Sequence, residues 1–95
     1  MSRDLKIQAS ASQEIAHAAV WYNTRQPGLG DRFLKEVENS LQRIQRNPEA
    51  FSRGRFEARR TLMNVFPFMV IYKVHPGAIV IHAVLHTKQL PSKLL

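Results

Sequence analysis

Five side chains in the C-terminal half carry the groups that could act on a phosphodiester: Arg59, Lys73, His82, His86 and Lys88. Metal-free cleavage of RNA needs a base for the 2′-hydroxyl, cations for the charge on the phosphorane and an acid for the leaving oxygen. An imidazole suits the base because it ordinarily titrates near neutrality. His86 closes an apolar run and is the more open of the two histidines to such a role. Its competing role is a hydrogen bond that locks the tail. His82 reads first as a polar residue on a half-exposed strand face. Arg59 and Arg60, with Arg55 close by, could hold a phosphate or clamp an acidic side chain of a partner. The competing roles are a solvated face for Arg59 and a structural ion pair for Arg60.

Several other chemistries fall away. His82 and His86 are four apart on a strand, roughly 13 Å, too far to share one metal ion. His17 and His75 have no neighbour of the right type, and the chain contains no cysteine. No metal site and no disulfide are therefore expected. No phosphate loop, dinucleotide-binding glycine motif, nucleophile elbow or paired-carboxylate motif occurs, so no cofactor is expected either.

The 95 residues fit one domain, 1–95, with a thin core. The formal charge is +7, and the isoelectric point is near 10.6. Such a chain attracts phosphate backbones or acidic protein segments. Its positive charge is clustered at Arg43, Arg46, Arg53, Arg55, Arg59 and Arg60, opposed nearby by Glu49 and Glu57. No aromatic platform is interleaved with them as in a reader of single-stranded RNA. No apolar run approaches a membrane span or a signal core, and a cytoplasmic location is expected.

These side chains must be positioned by a small set of elements. The apolar stretch Phe66–Val74 and its return leg Ile79–His86, cut by Pro76-Gly77, predict a hairpin at the centre of a sheet. With His75 opposite Ala78, Tyr72 faces Ile81, Val70 faces Ala83 and Phe68 faces Leu85. Met69, Ile71 and Lys73 then share the other face with Val80, His82 and Val84. Upstream, Leu5-Lys6-Ile7 alternates as a short edge strand. A helix is predicted over Ala11–Arg25, started by a capping box at Ser10 and Gln13 or by Ser12. Ile15, Ala18, Ala19 and Tyr22 form its stripe, with Trp21 at the edge. Gln26-Pro27-Gly28-Leu29-Gly30 breaks it. A second helix starts near Asp31 or slightly earlier and ends at Asn47-Pro48. Phe33, Val37, Leu41 and Ile44 form its stripe, and Leu34 widens it. Arg55–Leu62 predicts a strand with Phe56, Ala58 and Leu62 inward, Arg59 and Thr61 outward, and Arg60 out of phase. The tail from Thr87 is too short for another element. The order is β-α-α-β-β-β, an α+β fold with a helical hairpin on a small, mainly antiparallel sheet.

That order, and a series of short words along it, resemble the RelE/ParE superfamily of bacterial type II toxins. The words are Ala19-Val20-Trp21-Tyr22, Pro27-Gly28-Leu29-Gly30-Asp31-Arg32-Phe33, Ile44-Gln45-Arg46-Asn47-Pro48, Ala58-Arg59-Arg60, Phe66-Pro67-Phe68-Met69-Val70-Ile71-Tyr72 and Ala83-Val84-Leu85-His86. The resemblance implies a microbial RNase-like fold and a growth-arresting toxin of the plasmid-stabilisation kind. It also implies a cognate antitoxin that wraps the toxin with a disordered, often acidic segment. Operator DNA would be met only through that antitoxin.

Within the superfamily, RelE-like members cut messenger RNA on the ribosome, and ParE-like members bind DNA gyrase. The ribonuclease branch has an arginine in the third strand and a basic residue followed by a tyrosine on the tail. Here those positions hold Met69 and Gln89, and the chain closes on Leu94-Leu95 without a tyrosine. The gyrase branch ends its last strand with a histidine, a small residue and two basic residues. Here it reads His86-Thr87-Lys88-Gln89. The resemblance therefore favours a ParE-like gyrase inhibitor without a reaction of its own. Its contact residues for target or antitoxin would be Arg55, Arg59, Arg60, Lys73, His86 and Lys88. The alternatives are a ribosome-dependent endonuclease using Arg59, Lys73, His86 and Lys88, or a harmless homologue that only binds antitoxin.

Overall fold

The computed structural model describes residues 3–54 and 57–89. The elements are β1 (Asp4–Ile7), α1 (Ala9–Arg25), α2 (Leu29–Arg46), β2 (Arg59–Leu62), β3 (Phe68–His75) and β4 (Ala78–His86), followed by a 3₁₀ turn over Thr87–Gln89. The strands form one four-stranded sheet in the order β1-β4-β3-β2. Only the β1–β4 pair is parallel. This is the expected β-α-α-β-β-β arrangement, with the hairpin at the centre and β1 at an edge.

The helical hairpin forms because α2 carries a clean stripe. Phe33, Val37 and Ile44 are buried, with Ser40 among them. Each apolar side chain so removed from water contributes about 1.5–3 kcal/mol. Leu34, expected to widen that stripe, is exposed instead. Helix α1 buries small residues, Ala11, Ala18 and Ala19, and Ala19 lies against Gly30 of α2. The closest approach is at Gly30, whose N–H donates to Asn23 Oδ1 at 2.7 Å. A Cβ at Gly30 would overlap the Ala19 carbonyl and the Asn23 side chain. Gly28, at φ 90°, supplies the left-handed residue that reverses the chain between the helices. Tyr22, Phe33, Phe66 and Phe68 then pack with centroids 4.9–6.2 Å apart, mostly edge to face.

Four expectations are corrected. The capping box does not form. Helix α1 starts two residues early, and Gln8 precedes it with no side-chain cap, so Ser10 lies inside the helix. Strand β2 is shorter than 55–62, and Arg55 and Phe56 lie outside the described residues. Its alternation is also reversed: Thr61 is buried and Leu62 exposed. Pairing explains this. Thr61 lies opposite Val70 and Arg59 opposite Tyr72, both core residues, so Arg60 and Leu62 take the other face. Finally, the hairpin keeps its expected register only from the turn to Tyr72–Ile81. Ile71 then pairs with Ala83, Val70 with Val84, Met69 with Leu85 and Phe68 with His86. His82 is the extra residue of a β-bulge. Beyond it every β4 side chain changes face, so Val84 enters the core.

Candidate functional site

The bulge governs where the candidate residues go. Strand β1 stops at Ile7, opposite Ile81, and the Gln8 N–H donates to the Ile81 carbonyl at 3.0 Å. Past that point β4 has no strand on this side. The Val84 N–H is satisfied instead by Glu14 Oε1 of α1, at 2.9 Å. His82 sits at the kink with its Nε2 buried and unpartnered among the described residues. Burial, then Lys73 and His75, hold its imidazole below its ordinary value.

Because of the bulge, His86 lies on the helix side of the sheet. Its ring packs edge-on to Phe68, centroids 5.2 Å apart. Its Nδ1 accepts from the Lys88 N–H at 3.1 Å, and its own N–H donates to Gln89 Oε1 at 3.3 Å. The 3₁₀ turn is thus held by His86. Above lies a cleft of about 620 Å³ between α1 and β4, with Trp21, Tyr22, Phe68 and Val84 as apolar walls and Glu14, His17 and His86 as polar points. Trp21 is half-exposed there, and the Arg25 guanidinium stacks over its ring at 4.5 Å. Burial raises the Tyr22 hydroxyl above its ordinary value.

A second cleft, of about 580 Å³, lies at the other end of β3, with Glu49, Arg53 and Glu57 on one side and the hairpin turn on the other. Arg59 belongs to it. Its Nη1 donates to the Phe51 carbonyl at 2.8 Å and the Glu49 carbonyl at 3.1 Å. A solvated-face role for Arg59 does not describe this geometry, since the guanidinium is tied into the loop. Behind it Tyr72 is fully buried and donates to the Pro48 carbonyl at 2.8 Å. Burial pushes that phenol up to about 12, while the Arg59 charge pulls the other way.

The structure therefore scatters the sequence-derived set. Arg59 lies opposite Tyr72 and His86 opposite Phe68, four residues apart along β3, roughly 13 Å. Lys73 follows Tyr72, a core residue, and precedes Val74, which packs against the core, so it points to the opposite face, beside Val80. Arg60 shares that face with Ile71. Lys88 is exposed on the 3₁₀ turn, next to His86. Arg55 lies outside the described residues. Among the described residues no group of three metal-ligating side chains occurs, and no helix is long and apolar enough to cross a membrane. Glu14 was invisible to sequence reasoning. A glutamate on a helix carries no sign that it will satisfy a strand N–H seventy residues away.

Comparison with known proteins adds two findings. The model of the family described as ParE toxin of type II toxin–antitoxin system, parDE, matches residues 5–91. Among solved structures, the chromosomal ParDE toxin–antitoxin system from P. aeruginosa superposes with a TM-score of 0.77 at 16% identity, over 88% of this chain and 95% of that one. At that identity the likeness speaks for the fold. A search of curated proteins gave no match.

Proposed function

The chain belongs to the ParE toxin family of type II toxin–antitoxin systems, and on that footing we propose that it inhibits DNA gyrase by binding and is neutralised by a cognate antitoxin. The observation that carries a binding role over a cleaving one is the separation of the candidate catalytic groups. A phosphorane must be met by base, cation and acid within hydrogen-bond reach of one centre. Here Arg59 and His86 stand roughly 13 Å apart along β3, and Lys73 points to the other face. The His86 Nδ1 is already engaged by the Lys88 N–H, which removes one of its two ring nitrogens from proton transfer. Met69 fills with a buried apolar side chain the strand position where a cleaving relative would need positive charge.

The antitoxin side of the reading rests on charge. A +7 chain attracts an acidic disordered segment, and folding on binding suits such complementarity. Arg59, Arg60, Lys73 and Lys88 supply positive charge on both faces of the sheet, and the Trp21 cleft supplies apolar surface.

The test is a supercoiling assay with purified gyrase. The expected result is blocked supercoiling or accumulated cleaved DNA, relieved by stoichiometric antitoxin. Gyrase left unaffected at saturating toxin would refute the proposal. Codon-phased cuts in messenger RNA, lost in His86→Ala, would replace it with the endonuclease.

A further inference from the structure

The cleft at the hairpin turn has features beyond the net positive charge that the toxin reading draws on. Its cations are Arg3, Arg53 and Arg59, its anions are Glu49 and Glu57, and His75 lies on the turn. Arg3 meets Glu49 at 3.4 Å, and Arg53 meets Glu57 at 2.9 Å. The second pair is well exposed on both sides, and the first is only partly covered. Pairs of this kind hold weakly and exchange partners readily.

Arg59 is different. It is half-buried, it has no carboxylate partner among the described residues, and two loop carbonyls fix its fork through Nη1. These bonds use Nη1 alone, and Arg59 lines the cleft. The wall behind it is stiff, because the Arg60 N–H donates to the Ser52 carbonyl and the Gly54 N–H to the Ala58 carbonyl. A guanidinium held in place through one nitrogen, flanked by two arginines that can swing, is the arrangement that takes a planar or tetrahedral oxyanion by several charge-assisted bonds. Across the cleft, Val74 and Pro76 offer an apolar wall.

We infer that this cleft binds a phosphate monoester, with the phosphate on Arg59, Arg53 and Arg3 and the attached organic body against Val74 and Pro76. Three arginines against two glutamates leave one net positive charge, so a dianion is favoured over the single charge of a phosphodiester. Such a group is carried by a free nucleotide or by the phosphorylated end of a nucleic-acid strand.

The site is tested on the full chain by following the arginine side-chain N–H resonances while titrating inorganic phosphate, adenosine 5′-monophosphate, adenosine, and a dinucleotide with and without a 5′-phosphate. Phosphate and the monophosphate should move the Arg59 resonance in a salt-sensitive way. The monophosphate should bind about tenfold or more tighter than adenosine. A gain from the 5′-phosphorylated dinucleotide beyond the monophosphate would assign the source to a strand end, and equal binding would assign it to the free nucleotide. Arg53→Gln, whose side chain has only an exposed partner, should weaken binding severalfold while leaving the melting temperature unchanged. Glu49→Gln with Glu57→Gln should tighten it by about two- to fivefold per site, as loss of a weak competing pair requires. A purely structural cluster would not gain affinity in that way. An unmoved Arg59 resonance, a double glutamine variant that binds no tighter, or a 5′-hydroxyl dinucleotide that binds as well as the monophosphate would overturn the assignment.

Discussion

Replacing Glu14 by alanine should unsettle the end of β4 more than an ordinary helix-surface change would. The Glu14 carboxylate accepts the Val84 N–H at 2.9 Å, on the flank of β4 left bare where β1 ends. Val84 is 1% exposed, so water cannot take over that N–H without opening the core. A hydrogen bond to a charged acceptor contributes about 1.5–3 kcal/mol, and a buried donor left alone forfeits a similar amount. A loss of about 2 kcal/mol is therefore expected, which lowers the melting temperature of a domain this size by about 8–16 °C. Glu14→Gln retains an oxygen acceptor without the charge and should lose about half as much. Urea denaturation of the three proteins gives the energies, and hydrogen exchange at the Val84 amide locates the effect. The reasoning fails if Glu14→Ala unfolds within about 0.5 kcal/mol of the parent, the usual range for a surface change, and Val84 keeps its protection.

Other perturbations follow from the same geometry. Gly30→Ala gains about 1 kcal/mol of helix propensity but forces a Cβ into the Ala19 carbonyl and strains the Asn23 bond. A net loss of about 2 kcal/mol is expected by urea titration, whereas Gly77→Ala, with nothing within 4 Å, serves as the control and should be close to neutral. Val65 holds φ 72° while 67% exposed, so little packing compensates a β-branched residue in the left-handed region. Val65→Asn should raise the melting temperature by about 4–8 °C, and a decrease would show that the side chain has a hidden role. His82 titrates below its ordinary 6.5 in the folded chain, because burial and then Lys73 and His75 disfavour its charged form. As the pH falls, the unfolded chain takes up this proton first. The stability that His82 contributes is therefore complete above about 6.5 and is lost as the pH falls through the lower folded value. Urea midpoints at pH 7.5 and 5 should fall less in His82→Gln than in the parent, and equal falls would count against this origin.

The helical hairpin was legible because Phe33, Val37 and Ile44 repeat at helical spacing with polar residues between them, and burial follows that spacing. The central hairpin was legible because the turn at Pro76-Gly77 fixes His75 opposite Ala78. The bulge was not. Ala83, Val84 and Leu85 are apolar in sequence on both parities, so either face could have been the buried one. Nothing local tells a strand that its neighbour β1 will end beside Ile81. Strand β2 failed for a related reason. Its phase was inferred from Phe56 and Ala58, whereas the ladder with β3 sets it, opposite Val70 and Tyr72. At the site, Arg59 stood out in sequence by its place beside Arg60, but its anchoring by two loop carbonyls depends on a loop path that no spacing encodes.

One inserted residue decides which face of the sheet His86 takes. With an unbroken ladder from Tyr72–Ile81, His86 would fall opposite Pro67 and share the face of Met69, Ile71 and Lys73. The imidazole would then look out from that sheet surface, still six residues, roughly 20 Å, from Lys73 along β3. With His82 bulged, His86 turns to the helix side, stacks on Phe68 and holds the 3₁₀ turn. The same bulge exposes the Val84 N–H to Glu14 and sends Val84 into the core, so the displaced register is locked from both sides of the strand. The bulge that moves His86 is also the feature that completes the packing between α1 and β4. Among the described residues, the packing so completed leaves an apolar cleft at one end of β3, walled by Trp21, Tyr22, Phe68 and Val84, and a charged cleft at the other, around Arg59.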